Sequence, residues 1–216
     1  MINIMSLVIR NFEKIKNNLN NDNINIVAVS KSFSYDHIKP LVEIGHNHFG
    51  ENKVQEAFIK WSKIKDQIKD INLHMIGKLQ SNKAKEAINL FEFIHSLDNP
   101  KLANLLAKFE NSLKIKRKYF IQVNVGREKQ KSGILIEQLD KFYSYCSKDL
   151  KLNVIGLMTI PPNDGNPGKY FKILMELNSS LGLKELSMGM SEDFKDAINY
   201  NTTFIRIGSA IFGSRV

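Results

Sequence analysis

The sequence predicts an α/β protein whose core is a (β/α)₈ barrel, preceded by one extra N-terminal helix. Short apolar, β-branched segments alternate with amphipathic segments of helical period along the 216 residues, an order typical of a parallel sheet. Eight such strand segments can be counted, which is the number that closes a barrel of this kind. A doubly wound open sheet is the alternative, but no G-x-G-x-x-G pattern follows any strand segment to favour it.

The predicted strands are short runs of mainly apolar residues. The first, 24–31, is typical of a strand buried on both faces, and it ends on Lys31. The other seven are predicted at 47–52, 73–77, 91–96, 119–125, 154–159, 186–188 and 203–207.

The predicted helices carry apolar residues at every third or fourth position. The first reaches about residue 19 and has six apolar residues at this spacing: Ile4, Leu7, Val8, Phe12, Ile15 and Leu19. An Asn- and Asp-rich stretch, 20–23, ends this helix. Later helices are predicted at about 36–44, 54–68, 81–90, 98–113, 134–147, 169–181 and 192–199. Gly45 is the predicted C-cap of the second helix, and Asp98 is the predicted N-cap of the helix that it begins.

The composition is that of one ordinary globular domain, covering 1–216 without a linker. Hydrophobic residues make up 43% of the chain and charged residues 25%. The one cysteine, Cys146, excludes an internal disulfide framework and indicates a reducing compartment. Because the sequence shows neither a secretory signal pattern nor an apolar run of membrane-spanning length, we expect a cytoplasmic protein without a membrane partner.

A net charge of +9 raises the question of nucleic-acid binding. The densest basic run is 114–118, but lysines are scattered over every polar face and the aromatic residues lie mostly in apolar patterns. A solvated basic surface is therefore the preferred interpretation. It is compatible with the binding of small anionic molecules.

Lys31 is the first candidate for chemistry. Burial disfavours the charged form of a lysine, and a neutral ε-amine can attack a carbonyl carbon to form a Schiff base. The alternative is that Lys31 is simply the first solvated residue after its strand.

Other polar residues follow the predicted strands, at the end of the barrel that carries active sites. They are Asn52, Gln80, Asn82, Ser191, Arg206, Gly208 and Ser209. The segments 189–191 and 208–209 each precede a helical start, where backbone N–H groups and small hydroxyl side chains commonly bind phosphate. Two such segments opposite a strand-end lysine suggest a phosphorylated ligand with a carbonyl group. Pyridoxal phosphate (PLP) meets that description.

Several other residues receive structural interpretations. His46 and His48 lie near Glu51 but lack further ligands at metal-binding spacing, so we expect rim histidines and no metal site. His74 is expected to be a hydrogen-bonded core residue. Cys146 shows no context that would make it a nucleophile. Packing around the barrel interior or the pocket is predicted for three methionines: Met158, Met188 and Met190.

The chain resembles the family of pyridoxal phosphate homeostasis proteins. The matching segments occur in family order and span nearly the whole chain: 27–31 (VAVSK), 49–52 (FGEN), 74–83 (HMIGKLQSNK), 122–125 (QVNV), 131–133 (KSG), 156–160 (GLMTI), 186–191 (LSMGMS) and 206–213 (RIGSAIFG). The resemblance implies a barrel similar to the N-terminal domain of alanine racemase, with PLP bound to Lys31. It also implies that Arg206 faces the pyridine nitrogen and that phosphate is held near Ser191, Gly208 and Ser209.

The resemblance bears on catalysis as well. An arginine at the pyridine nitrogen disfavours protonation of that nitrogen, which makes the ring a weaker electron sink. Alanine racemase is similar here but adds a tyrosine from a second domain and from its dimer partner, and we expect no such domain in 216 residues. We therefore expect a monomeric PLP carrier in intracellular PLP (vitamin B6) homeostasis, without catalytic residues or robust turnover. PLP-dependent apo-enzymes are its candidate recipients. A small PLP-dependent amino-acid racemase is the alternative, and a basic nucleic-acid-binding protein is a third hypothesis.

Overall fold

A computed structural model describes residues 4–19, 23–68 and 70–213, and within them eight parallel strands form a closed barrel in sequence order. The strands are β1 (Asn25–Val29), β2 (His48–Glu51), β3 (Asn72–Met75), β4 (Phe93–Leu97), β5 (Lys118–Gln122), β6 (Asn153–Met158), β7 (Glu185–Met190) and β8 (Phe204–Ile207). Pairing of β1 with β8 closes the barrel. The predicted (β/α)₈ fold is confirmed.

The α-helices lie around the strands. In the described residues they are α1 (Ile4–Asn17), α2 (Tyr35–Glu43), α3 (Val54–Trp61), α4 (Ala84–Leu90), α5 (Pro100–Leu113), α6 (Leu139–Ser144), α7 (Pro167–Ser180), α8 (Phe194–Ile198) and α9 (Ser209–Phe212). The extra N-terminal helix α1 buries Val8, Phe12 and Ile15 and packs beside α2 and α9. The Asn11 side chain donates a hydrogen bond to the carbonyl of Ile211 at 3.0 Å, which ties α1 to α9.

Several helix boundaries differ from those predicted. The helix predicted at 54–68 ends at Trp61 and is followed by a 3₁₀ turn, Lys65–Gln67. The helix predicted at 134–147 divides into a 3₁₀ turn, Ile136–Gln138, then α6 and a π-helical turn, Tyr145–Asp149. The stretch predicted to end the first helix lies largely outside the described residues, and α1 itself ends at Asn17.

The caps show where local chemistry decides a boundary. Asn99, not Asp98, is the N-cap of α5, because its side-chain oxygen accepts a hydrogen bond from the amide of Leu102 at 2.9 Å. Ile44 is the capping residue of α2, and Gly45 follows it with a φ of 85°. This left-handed conformation favours glycine and lets the chain turn away from the helix.

The core has two parts. A large apolar layer lies between the strands and the helices, and a smaller cluster fills the barrel interior. The interior cluster consists of Val27, Phe93, Phe120, Met158 and Phe204. Since alternate residues of a strand point to opposite faces, residues two positions along from these, such as Arg206 after Phe204, also face the interior.

Candidate functional site

A cavity of about 990 Å³ opens at the carboxyl ends of the strands. This is the end at which barrels of this fold carry their active sites. Its lining includes each of the six binding residues predicted from the sequence: Lys31, Asn52, Ser191, Arg206, Gly208 and Ser209. The fold thus brings all six candidates to one cavity.

Closure of the barrel explains this convergence. β8 pairs with both β7 and β1, and β1 pairs with β2, so these four strands are consecutive neighbours. Val27 of β1 is paired with Arg206 of β8, and Met190 of β7 is paired with the same arginine. The turn that carries Lys31 and the segment that carries Gly208 and Ser209 therefore follow neighbouring strands, and both line the cavity.

Lys31 lies in a turn rather than at the end of a strand. β1 ends at Val29, and the turn contains Ser32 with a φ of 68°. The amide of Phe33 donates a hydrogen bond to the carbonyl of Ser30 at 3.1 Å across the turn. The half-buried lysine consequently leaves the barrel wall and lines the cavity.

Behind this turn lies a buried ion pair between Glu51 and Lys60. The Oε1 atom of Glu51 accepts hydrogen bonds from Lys60 Nζ at 2.8 Å, from Ser30 Oγ at 2.7 Å and from Trp61 Nε1 at 3.0 Å. Lys60 Nζ also donates to the carbonyl of Ser30 at 2.6 Å. The Glu51 side chain is 0% exposed and that of Lys60 9%. The residue that precedes Lys31 is therefore fixed to α3 by charged hydrogen bonds.

Backbone N–H groups converge where β7 and β8 end. The hydroxyl oxygen of Ser191 accepts hydrogen bonds from the amides of Gly208 at 3.3 Å and Ala210 at 3.4 Å. A Cβ built on Gly208 would meet Val29 Cβ at 3.5 Å, an ordinary contact, so packing within the protein leaves room for a methyl group there. The segment can present N–H and hydroxyl donors to an anion in the cavity.

Arg206 is the buried cation of the site, with 4% of its surface exposed. Its Nη1 donates to the Oγ of Ser187 at 2.6 Å and its Nη2 to the carbonyl of Thr159 at 2.8 Å. Burial lowers the pKa of Arg206 to about 10, and the negative charge of Asp193 raises it in part. The guanidinium therefore stays charged at neutral pH.

Sequence reasoning missed several polar side chains that line the cavity, among them Lys78, Gln122, Asn124 and Lys131. Gln122 ends β5, so the strand-end rule that found Asn52 applies to it equally. Lys131 Nζ donates to the carbonyl of Pro161 at 3.0 Å, and this contact between two loops carries no sequence signal.

Two of the polar residues expected at strand ends lie outside this cavity. Gln80 and Asn82 are exposed, at the start of the 3₁₀ turn Ser81–Lys83.

Gly77 explains how the preceding segment passes close to β2. A Cβ built there would lie 2.4 Å from the carbonyl oxygen of Asn52, so only glycine allows this approach.

Four of the five histidines form a hydrogen-bonded group that the sequence did not reveal. His46 and His48, expected at the rim, are both partly exposed, and His48 lines a cavity at the mouth of the barrel where the strands begin. Their hydrogen bonds were not expected: His46 Nε2 lies 2.9 Å from the carbonyl of His48, and His48 Nδ1 lies 2.8 Å from His74 Nε2. The prediction of a hydrogen-bonded core histidine at position 74 is confirmed, since its side chain is fully buried between His48 and His95.

The methionines and the cysteine lie in apolar surroundings. Met158 fills the barrel interior, Met188 packs in the layer beneath the helices, and Met190 lines the cavity. Cys146 is buried in the π-helical turn, and this burial raises the pKa of its thiol to about 12. A thiol in this state is a poor nucleophile.

Neither a metal-binding cluster nor a membrane-spanning helix occurs in the described residues. No group of three or more His, Cys, Asp or Glu side chains there is arranged to hold a metal ion. Among the helices of the same residues, none combines the length and the apolar character needed to cross a membrane.

The fold and the site together define a class of protein. Residues 5–216 match the family model described as the N-terminal domain of alanine racemase. An alanine racemase of Clostridium difficile shares this fold with a TM-score of 0.77 at 15% identity, over 97% of this chain and 57% of the racemase.

Closer relatives narrow the class. The pyridoxal phosphate homeostasis protein of Aquifex aeolicus is 38% identical over 199 residues, which cover 88% of this chain and 86% of the relative. That of Escherichia coli K12 is 32% identical over 203 residues, covering 90% and 87%. PipY of Synechococcus elongatus with PLP bound has a TM-score of 0.88 at 31% identity, over 95% of this chain and 100% of PipY. The chain therefore belongs to the family of pyridoxal phosphate homeostasis proteins.

Proposed function

We propose that this protein binds pyridoxal 5′-phosphate in the cavity at the carboxyl ends of its strands, carries it as a Schiff base on Lys31, and acts in PLP homeostasis. The observation that carries the proposal is the convergence of an amine, a buried cation and a set of anion-binding donors on one cavity. Membership of a family whose relatives are named for PLP homeostasis, one of them solved with PLP bound, supports it.

The residues present fit the chemistry of PLP. Lys31 supplies the amine for the aldehyde group. The amides of Gly208 and Ala210, now hydrogen-bonded to Ser191, supply donors for the phosphate together with the hydroxyls of Ser191 and Ser209. The room beside Gly208 supports the same assignment, because it lets a ligand approach the backbone.

Arg206 supports a carrier more than a catalyst. Bound PLP supplies an electron sink, and the sink is strongest when the ring nitrogen is protonated. In the proposed arrangement Arg206 faces that nitrogen, and its positive charge disfavours the added proton. The other cavity residues then hold the cofactor without promoting turnover of an amino acid.

The cellular role follows from the carrier hypothesis. We infer a single domain over 1–216 that works in the cytoplasm as a monomer and supplies PLP to PLP-dependent apo-enzymes. The chain has one cysteine, Cys146, and therefore no internal disulfide, which fits a reducing compartment. The basic surface supports the binding of a phosphorylated small molecule.

Borohydride reduction followed by peptide mapping tests the proposal. We expect the pyridoxyl group on Lys31, and we expect Lys31→Ala to lose the visible absorption band of the Schiff base while keeping the far-UV circular dichroism of the fold. Lys78→Ala and Lys131→Ala are matched controls, because both lysines line the same cavity. A pyridoxyl group found mainly on either control lysine would overturn the assignment of Lys31.

A further inference from the structure

A chain of hydrogen bonds crosses the barrel interior and ends on Arg206. His48 Nδ1 lies 2.8 Å from His74 Nε2, and His74 Nδ1 lies 2.9 Å from His95 Nε2. His95 Nδ1 lies 2.8 Å from Ser187 Oγ, which in turn accepts the 2.6 Å hydrogen bond from Arg206 Nη1. The five side chains come from β2, β3, β4, β7 and β8, so the chain links one side of the barrel to the other.

The surroundings keep these histidines neutral. The ring of His74 stacks on Phe93 with the centroids 4.3 Å apart, and the ring of His95 stacks on Phe120 at the same distance. Burial lowers the pKa values of His74 and His95 well below the ordinary value, and the neighbouring charge of Arg206 lowers that of His95 further. Burial and the charge of Lys118 lower the pKa of His48 to about 4.

Because the three histidines are neutral and Arg206 can only donate, the direction of each hydrogen bond along this chain is fixed. A guanidinium only donates, so Ser187 Oγ is an acceptor towards Arg206. Among the described residues the hydroxyl hydrogen of Ser187 has one acceptor, His95 Nδ1, and the opposite direction would leave that hydrogen buried and unpaired. His95 must then carry its proton on Nε2 and donate it to His74.

The same step repeats along the chain. His74 accepts at Nδ1 and therefore donates from Nε2 to His48, whose own proton must then be on Nε2. His48 lines a second cavity, of about 390 Å³, at the opposite mouth of the barrel, together with Asn25, Asn72 and Lys118. The chain thus begins at one mouth and ends at the guanidinium that lines the other.

We propose that Ser187, His95, His74 and His48 form a one-directional hydrogen-bonded chain, with all three imidazoles in the Nε2–H tautomer, that positions Arg206 for the ligand. Ser187 and His95 are positioning residues, since they act through Arg206 and their described contacts do not include the main cavity. The role of the chain in positioning Arg206 for PLP rests on the proposed function. The predicted histidine tautomers do not depend on it.

Nitrogen-15 NMR of the histidine side chains tests the tautomers directly, on the protein as purified and again after PLP is added. We expect His48, His74 and His95 to be neutral Nε2–H imidazoles at pH 7, assigned through single His→Gln variants. An Nδ1–H tautomer or an imidazolium at any of the three positions would overturn the chain, whether or not PLP binds.

Substitutions test the positioning role. Ser187→Ala removes the link to Arg206, and we expect the dissociation constant for PLP to rise about tenfold, the size of one hydrogen bond to a charged group. The absorption band of bound PLP should also shift, and the tautomers of His95 and His74 should become mixed. His95→Leu should behave in the same way, while His95→Asn keeps an acceptor for the Ser187 hydroxyl and should restore most of the affinity.

Ser96→Ala is the matched control. Ser96 is also buried, on the same strand as His95, but its hydroxyl has no partner among the described residues. We expect this variant to bind PLP like the parent. Ser187→Ala with unchanged affinity and spectrum would overturn the positioning role, whereas failure of the parent to carry PLP on Lys31 would overturn the proposed function and leave the NMR result standing.

Discussion

Replacement of Lys60 by methionine should lower the free energy of unfolding by about 3–5 kcal/mol, the range for breaking a buried ion pair by removing one partner. Methionine has a similar length and shape but lacks the ammonium group. It would leave the fully buried Glu51 carboxylate with only the neutral donors of Ser30 and Trp61. It would also leave the carbonyl of Ser30 without the 2.6 Å hydrogen bond from Lys60 Nζ.

Equilibrium unfolding in urea measures this change. Lys39→Met is the matched control, because Lys39 and Glu43 form an ion pair at 3.5 Å with side chains 52% and 44% exposed. Such a surface pair contributes about 0–1 kcal/mol, so the control should unfold at nearly the parent urea concentration. The double variant Lys60→Met with Glu51→Gln should recover much of the loss, because no unpaired charge stays buried.

Two results would refute this reasoning. If Lys60→Met lowers the free energy of unfolding no more than Lys39→Met does, the Glu51–Lys60 pair contributes no more than a solvated surface pair. If the double variant is as unstable as Lys60→Met alone, the loss comes from packing and not from the buried carboxylate. A large loss in Lys60→Met that the double variant recovers would show that the Glu51–Lys60 pair stabilises the turn before Lys31 through its charges.

Three further predictions concern the phosphate, catalysis and acid stability. Gly208→Leu should abolish most PLP binding measured by titration, whereas Ser209→Ala should cost about 1–3 kcal/mol, and equal affinity for pyridoxal and PLP would mean that the phosphate lies elsewhere. The α-proton of alanine should exchange very slowly in deuterated water, and rapid exchange that is lost in Lys31→Ala would indicate a racemase. The free energy of unfolding should fall by about 2 kcal/mol for each of His74 and His95 between pH 7 and pH 5: burial lowers their pKa values in the folded protein, so only the unfolded chain takes up protons as the pH falls through about 6.5. A constant urea midpoint over this range would contradict that expectation.

The fold was predictable because its signal is repeated. Eight strand segments alternate with amphipathic segments, and an error in one boundary does not change the order. The boundaries themselves depend on tertiary contacts. Ile64 and Ile68 continue the apolar period of α3, but they pack on the core from the turns that follow Trp61, so the period outlasts the helix.

The convergence of the candidate site residues was predictable for a related reason: the carboxyl ends of parallel strands meet at one end of a barrel, so the strand-end residues Asn52, Ser191 and Gly208 reach one cavity. The hydrogen-bonded histidines were not. A short strand buried on both faces shows no alternation that tells the inward residues from the outward ones, so nothing marked His48 and His95 as facing the same interior. The Glu51–Lys60 pair could not be predicted either, because it depends on how α3 packs against β2.

One residue in this site can both hold the proposed cofactor and keep it unreactive. The two hydrogen-bond acceptors of Arg206, on Ser187 and Thr159, are neutral, and Asp193 offsets only part of its charge. A positive charge at this position favours a ligand that carries a phosphate dianion, and it disfavours a proton on a ring nitrogen that faces it. Affinity and reactivity should therefore move in opposite directions when the charge is removed. Arg206→Gln should bind PLP less tightly but exchange the α-proton of alanine faster per bound cofactor, measured by mass spectrometry in deuterated water. Exchange that falls in proportion to bound PLP would show that the charge of Arg206 does not limit the chemistry.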